Sequence, residues 1–286
     1  MGLTNQTVPT LHSRNVVLQY NQQMIKFFRH IRRQMIKENS VSKYLIYAIS
    51  EIVLVVIGIL IALQLNLWKE ERNLRNQEIV TLEQLRGEFR DNLKQLDEKI
   101  SMRDAMINSA YQLMAYHDDH SRIIADSVEI YLARTTVSPT FDPITNDLIS
   151  SGRLYLITNL ELRQKLSRWT SELVQVTEEE KSWIGINRDR YVPHLMSTYP
   201  TRNINARKWS GLDVVHTLLL DKDRKTIVNI GRSNTEPDLE RFFADPELEN
   251  LLSSVLSSVL FANEQSLSLR KSILDILDMI DKGLEK

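Results

Sequence analysis

The sequence predicts an all-α protein, with one transmembrane helix followed by an antiparallel helical bundle built from long helices. Three observations predict it. Only 8 Gly and 7 Pro punctuate 286 residues, which is too few turn residues for a sandwich or barrel and leaves long uninterrupted stretches for helices. Residues 45–67 form a 23-residue run whose sole charge is Glu51. Downstream, apolar residues recur at spacings of three and four, as they do on a helix with one buried stripe.

The apolar run comes first. As a helix, 23 residues extend roughly 34 Å, enough to cross a hydrocarbon core of about 30 Å. Tyr44 and Trp68 stand at its two ends as interfacial anchors, where amphipathic rings are favoured. A buried core helix of this length would carry a polar stripe, and this one has none. The transmembrane helix is therefore set at 44–68. It is too long for a signal-peptide core and no small-x-small cleavage site follows it closely, so it should remain as an anchor.

The overall charge of −1 conceals a segregation around that helix. Residues 1–43 carry seven basic residues against one acid, and residues 69–286 carry 29 basic against 35 acidic. Six basic residues lie within about 20 positions upstream (Lys26, Arg29, Arg32, Arg33, Lys37, Lys43) and four downstream, a bias that places the N-terminus in the cytoplasm. The expected location is the inner (plasma) membrane, crossed once, with residues 69–286 periplasmic. Near-neutral total charge argues against a nucleic-acid partner, because phosphate binding needs concentrated positive charge. The absence of cysteine excludes disulfide scaffolds, thiolate metal sites and cysteine nucleophiles.

Residues 1–23 are polar and unpatterned and read either as a disordered tail or as sequence upstream of a true start at Met24. Residues 24–43 read as a basic amphipathic helix. Ile25, Phe28, Ile31 and Met35/Ile36 share one face, and Lys26, Arg29, Arg33 and Lys37 lie elsewhere on the wheel. Such a helix suits an anionic membrane surface, each basic residue adding about 1 kcal/mol; docking to a cytoplasmic partner is the alternative.

Met24-Ile-Lys-Phe-Phe-Arg, Lys43-Tyr44, Glu51-Ile-Val-Leu-Val-Val-Ile-Gly-Ile-Leu-Ile-Ala-Leu-Gln64, Trp68 and the stretch Leu148–Asn159 resemble an uncharacterised family of single-pass membrane proteins from Bacteroidetes. The family chains typically begin at the position matching Met24. Ser50 stands where the family usually has Gly and Lys69 where it usually has Asn. The resemblance covers most of residues 24–286 and implies a membrane-anchored, largely helical protein, with no activity attached.

Within the span, Glu51 sits roughly 10 Å from the cytoplasmic edge. A carboxyl at that depth usually faces a partner helix or water. Gly58 and Ala62 form a small-xxx-small pair that lets two helices approach closely. Glu51, Gly58 and Ala62 are therefore the candidate helix-packing residues, and a homo-oligomer is the expected assembly; a snorkelling Glu51 on a monomer is the alternative.

Beyond Trp68, the residues Ile79, Leu82, Phe89, Leu93, Leu96, Ile100, Ile107, Ala110 and Met114 keep a near-heptad seam to about His117, interrupted by Arg86 and Arg103. The arginines favour the first helix of a bundle over a strict coiled coil. A second helix is expected over 121–133, a loop over 135–143 and a short helix over 145–151. A long helix capped by Asn159 should run to about Arg190, closed by Pro193 and Pro200. Residues 213–230 read equally as a hairpin or a helical turn. Asp245-Pro246-Glu247 starts a last helix, with Leu248, Leu251/Leu252, Val255, Leu256, Val259, Leu260, Leu267, Ile273/Leu274, Leu277 and Ile280 on its apolar side.

Catalytic signatures are absent from the sequence: it holds no phosphate-cradling glycine loop, His-Glu-x-x-His or Gly-x-Ser-x-Gly. His117-Asp-Asp-His120 is the best metal candidate, but a solvated helix end explains it equally well. Glu178-Glu-Glu180 reads as a solvated face, and Trp169, Trp183, Trp209 and Tyr191 as core. No catalytic, cofactor or metal residue is assigned. The expected function is a non-enzymatic interaction or scaffold protein in the bilayer; a membrane sensor with a ligand-binding bundle is the alternative.

Overall fold

The computed structural model describes residues 41–144, 153–211, 218 and 227–285, with side chains from Leu45 onward. The tail over 1–23, the basic helix over 24–43 (but for the backbone of its last three residues), the short helix over 145–151 and most of 213–230 lie outside them. All regular structure among the described residues is helical. The chain divides into two compact units, 1–73 and 74–286.

The described part of the first unit belongs to helix α1, Val41–Asp118. Every side chain from Ile49 to Asn73 is exposed. This portion has the length and composition of a membrane-crossing helix, with a mean hydropathy of 2.7 in its most apolar window and none of that window buried.

In the second unit, residues 74–118 of α1 lie antiparallel to the last helix, α7 (Pro246–Leu284). The register is fixed by polar pairs along its length: Arg75 Nη2 donates to the Gly283 carbonyl (2.7 Å), Arg270 Nε to Asp97 (2.6 Å) and Asn263 Nδ2 to Asp104 (2.7 Å), while His117 Nε2 lies 3.8 Å from Glu249. Helix α3 (Leu160–Ile186) packs along α7. Helix α2 (Ala125–Thr135) packs on α5 (Thr201–Trp209), and a short α6 (Leu239–Phe243) precedes α7. The caps are those the sequence signals. Asn159 accepts the Leu162 N–H and Asp245 accepts the Glu247 N–H, each satisfying a donor that the first helical turn leaves unpaired. Pro246, lacking an N–H, fits the first turn without loss.

Three expectations are corrected. The helix after Asn159 does not close at Pro193. It passes through a π turn at Asn187–Tyr191 and continues as α4, Val192–Thr198, with Pro193 in the first turn after the widened ring; the change of hydrogen-bond register there accommodates the missing donor. Pro200 does end it, after an extended Tyr199. Leu260, Leu267 and Leu274 are exposed, Leu267 at 45%. A strict seven-residue repeat drifts by about 20° per heptad around a straight helix, and the buried stripe instead runs through Val255, Val259, Ala262, Ser266, Leu269, Ile273 and Ile276. Finally, Glu180 is not on a solvated face: it is buried, although Glu178 is exposed.

Candidate functional site

The most distinctive surface is the apolar helix of the first unit. Ile52, Leu54, Ile57, Leu60, Ile61 and Leu63 are all about half exposed or more, and Trp68 is 61% exposed. Isoleucine and leucine side chains on this scale in water cost about 25 cal/mol per Å², and a contiguous apolar patch of this kind marks a membrane or protein contact. Glu51 and Ala62 are exposed on this helix, and a Cβ added at Gly58 would meet no atom within 4 Å. Ser50 Oγ donates to its own helix at the Tyr47 carbonyl (2.8 Å). Of the other predicted site residues, Lys26, Arg29, Arg32, Arg33 and Lys37 lie outside the described residues, and the side chains of Lys43 and Tyr44 do too.

The second unit contains a buried polar layer that the sequence only half signals. Arg103 of α1 is 2% exposed and its guanidinium pairs with Glu180 of α3, itself 4% exposed. Arg103 Nη1 also donates to Ser266 Oγ of α7 (2.7 Å), and the Ser266 hydroxyl donates in turn to the Ala262 carbonyl (2.7 Å). The other Glu180 oxygen accepts the Phe141 N–H (2.9 Å), tying in the chain after α2. Burial pushes the Glu180 carboxyl up, against the pull of Arg103, and burial pulls the Arg103 guanidinium down. Ions so deeply placed persist only when paired and hydrogen-bonded.

This layer separates two hydrophobic cores. One gathers Met106, Leu113, Leu132, Trp183, Tyr191 and Val259. The other gathers Leu96, Leu162, Trp169, Val176, Leu269 and Ile273. On α3 and α7 the polar residue falls between the two apolar groups, and on α1 Arg103 follows directly on Met102, where the first core begins. A cavity of about 10 Å³ lies against Arg103, Glu180 and Trp183, room for at most one water. Trp169, Trp183 and Tyr191 are core residues as expected, whereas Trp209 is only half-buried and joins neither core; Trp169 meets Phe89 edge-on at 5.0 Å, and Trp183 Nε1 donates to the Val137 carbonyl (3.0 Å). Buried Tyr191 shares a hydrogen bond with Thr135 Oγ1 (2.8 Å).

Two further buried carboxylates staple connections to helices. Glu78 accepts the Thr158 N–H and Oγ1 (2.6 Å each) and Arg75 Nη1 (2.6 Å). Burial alone raises its pKa, but the Thr158 and Arg75 hydrogen bonds outweigh burial and hold it below the ordinary carboxylate range. Glu129 of α2 pairs with Arg232. Neighbouring Gly231 has φ +70°, a left-handed conformation that favours glycine, and lies beside the Arg202 guanidinium. On α5, burial pulls the Lys208 ammonium down to about 8.

An open cleft of about 770 Å³ lies between the end of α4 and α6, lined by Met196, Thr198, Ser233, Glu236, Asp238 and Arg241 among others. At its margin, His194 Nε2 stands 3.4 Å from Asp245. The His117/His120 pair does not assemble a ligand set: Asp119 caps the turn His120–Arg122 by accepting the Ser121 N–H (3.0 Å), and His117 faces Glu249. Among the described residues, no group of three or more His, Asp or Glu is placed to hold a metal.

Residues 51–163 match a family of unknown function (DUF6090). The match takes in α1 from Glu51 onward, which includes most of its apolar stretch, all of α2 and the first turn of α3. It starts downstream of the Met24–Lys43 residues that carry part of the resemblance. Neither a curated protein nor a solved structure matches the chain.

Proposed function

We propose that the chain is a non-enzymatic, single-pass inner-membrane protein whose helical second unit lies in the periplasm and serves as an interaction or scaffold module. The carrying observation is the apolar stretch 45–67 of α1, 23 residues with one charge, whose side chains no other part of the described chain covers. A soluble protein would bury such a surface; a bilayer core of about 30 Å covers it directly. The basic residues Lys26 to Lys43 anchor its cytoplasmic side on anionic headgroups. The partners of the bundle are proteins, including further copies of the chain, rather than nucleic acid.

The test joins extraction with topology. The chain has no native cysteine, so His30→Cys and His120→Cys each report one position cleanly. In intact cells with a permeabilised outer membrane, an impermeant maleimide should label position 120 and spare position 30, and alkaline carbonate should leave the chain in the membrane pellet. Release by carbonate overturns the membrane reading, and the opposite labelling overturns the orientation.

The cleft of about 770 Å³ favours a second reading, a sensor in which a small ligand binds the bundle. A concentration-dependent rise in melting temperature of a monomeric chain with one small molecule supports it; stable copurifying proteins support the scaffold.

A further inference from the structure

We infer that the end of the second unit that carries Leu74, Tyr155 and Leu160 docks on the lipid–water interface of the bilayer. The inference rests on the membrane reading above and adds a contact with lipid outside the span.

Three exposed apolar side chains lie at this end. Leu74, Tyr155 and Leu160 are 47%, 68% and 60% exposed. Hydrogen bonds hold together the segments that carry them. Glu78 stands one turn after Leu74 on the same side of α1, and its carboxylate accepts the Thr158 N–H and Oγ1 (2.6 Å each). Tyr155, in the turn Arg153–Leu156, and Leu160, the first residue of α3, flank the point at which Thr158 is held. Arg75 Nη2 on the Gly283 carbonyl (2.7 Å) draws the last turn of α7, with half-buried Leu284, to the same level. The core here is already filled from within by Leu82, Ile157 and Leu162. Leu74, Tyr155 and Leu160 are surplus to it, and such a group left outside marks a contact surface.

The occupant follows from the tether. The second unit begins at Leu74, six residues after Trp68, the anchor of the span. Even fully extended, that stretch reaches only about 20 Å, so this end cannot leave the neighbourhood of the headgroups. A tether so short keeps lipid at a high effective concentration, and a weak apolar contact then suffices. A protein partner would have to displace lipid from an end that the chain itself keeps beside it. The chemistry suits that depth. Tyrosine is enriched at membrane interfaces, where its ring is apolar and its hydroxyl stays wet. The ions of this end keep partners within the bundle: Arg75 with Glu78 (2.6 Å), Lys282 with Asp278 (2.6 Å) and Arg86 with Asp281 (3.5 Å). Glu161, beside Leu160, lies near Lys282.

The experiment places single cysteines, which the native chain lacks, in the full-length chain in phosphatidylethanolamine–phosphatidylglycerol vesicles. Each carries a polarity-sensitive fluorophore, and part of the lipid carries a spin-label quencher just below its headgroup. The chain is kept too dilute in lipid for copies to meet. Leu74→Cys, Tyr155→Cys and Leu160→Cys report on the end. Tyr111→Cys, Val174→Cys and Phe261→Cys are similarly exposed controls, roughly 20–55 Å further along α1, α3 and α7. An interfacial group lies only about 5–10 Å into the headgroup boundary, so quenching at the first three should exceed the controls at least about threefold. Adding Tyr155→Asp and Leu160→Asp to the Leu74→Cys chain should bring its quenching down toward the controls and leave the melting temperature of the second unit unchanged. Equal quenching at all six positions overturns the docking. So does full quenching at position 74 in the double-aspartate chain, because the tether alone then accounts for it. An end label shielded from water yet unquenched has protein over it, which overturns lipid as the occupant. A chain that fails to float with the vesicles fails the membrane reading itself; a floating chain with unquenched end labels fails this inference alone.

Discussion

Helix α1 reverses its rules between its two portions. Along 45–68 it presents Ile, Leu and Val outward with nothing over them; along 74–118 it turns Glu78 and Arg103 inward and covers both. The backbone is the same α-helix throughout. What changes is the expected surroundings: hydrocarbon around the first portion, and helices α3 and α7 with the chain after α2 around the second. An apolar side chain is suitably placed where it is exposed in one and where it is hidden in the other, so composition has to be read against partners.

This contrast can be broken at four points. The largest effect should come from Glu180→Ala, which strands the buried Arg103 charge and should destabilise the bundle by about 3–5 kcal/mol. Thermal or urea unfolding of the second unit in the detergent-solubilised chain reads the loss. Replacing both partners, Arg103→Met with Glu180→Leu, should recover most of it; a double variant as unstable as the single one would show that the pair is not the source. Next, Ile57→Asp near the middle of the span should weaken membrane insertion by about 2.5–3.5 kcal/mol, seen as chain lost from the carbonate pellet. The melting of the second unit should stay unchanged.

A smaller effect is expected at Glu78. Its pKa is held below the unfolded value of about 4.3, so its contribution is present above that pH and disappears as pH falls through the folded value. Glu78→Gln should cost about 1–2 kcal/mol at pH 7 and much less under acid conditions, a difference that unfolding measured at two pH values will reveal. Last, Leu267→Gln, on the uncovered side of α7, should change stability by less than about 0.5 kcal/mol, whereas Leu269→Ala, two residues on and buried, should cost about 2–5 kcal/mol. Equal losses at 267 and 269 would contradict the assignment of the two faces.

Much of this arrangement is legible in the sequence where the signal is local. The long apolar helix, the Asn159 and Asp245 caps and Pro246 in a first turn are readable because residues adjacent in the chain determine them. Glu180 is not, because three consecutive glutamates look solvated and the group that buries the third lies 77 positions away. The available clue was Arg103, a cation on an apolar seam, which calls for an anion across from it. Helix α5 escaped because Arg202, Asn203, Asn205, Arg207 and Lys208 blur any apolar period, and its hold comes from Asn203, which accepts the Ser233 N–H (2.8 Å), and Arg202, which grips the Ile230 carbonyl. Leu260, Leu267 and Leu274 misled through spacing alone, since a regular repeat is not the same as the repeat that keeps facing the core.

The π turn at Asn187–Tyr191 acts as a phase shifter. Val192 N–H reaches back five residues to the Asn187 carbonyl, so one extra residue is taken up without breaking the rod. One residue corresponds to about 100° of rotation. Everything beyond it, Leu195 toward the core and His194 toward Asp245, is aimed by that single inserted step. Deleting one residue from the turn would leave the composition almost untouched and point the whole of α4 the wrong way.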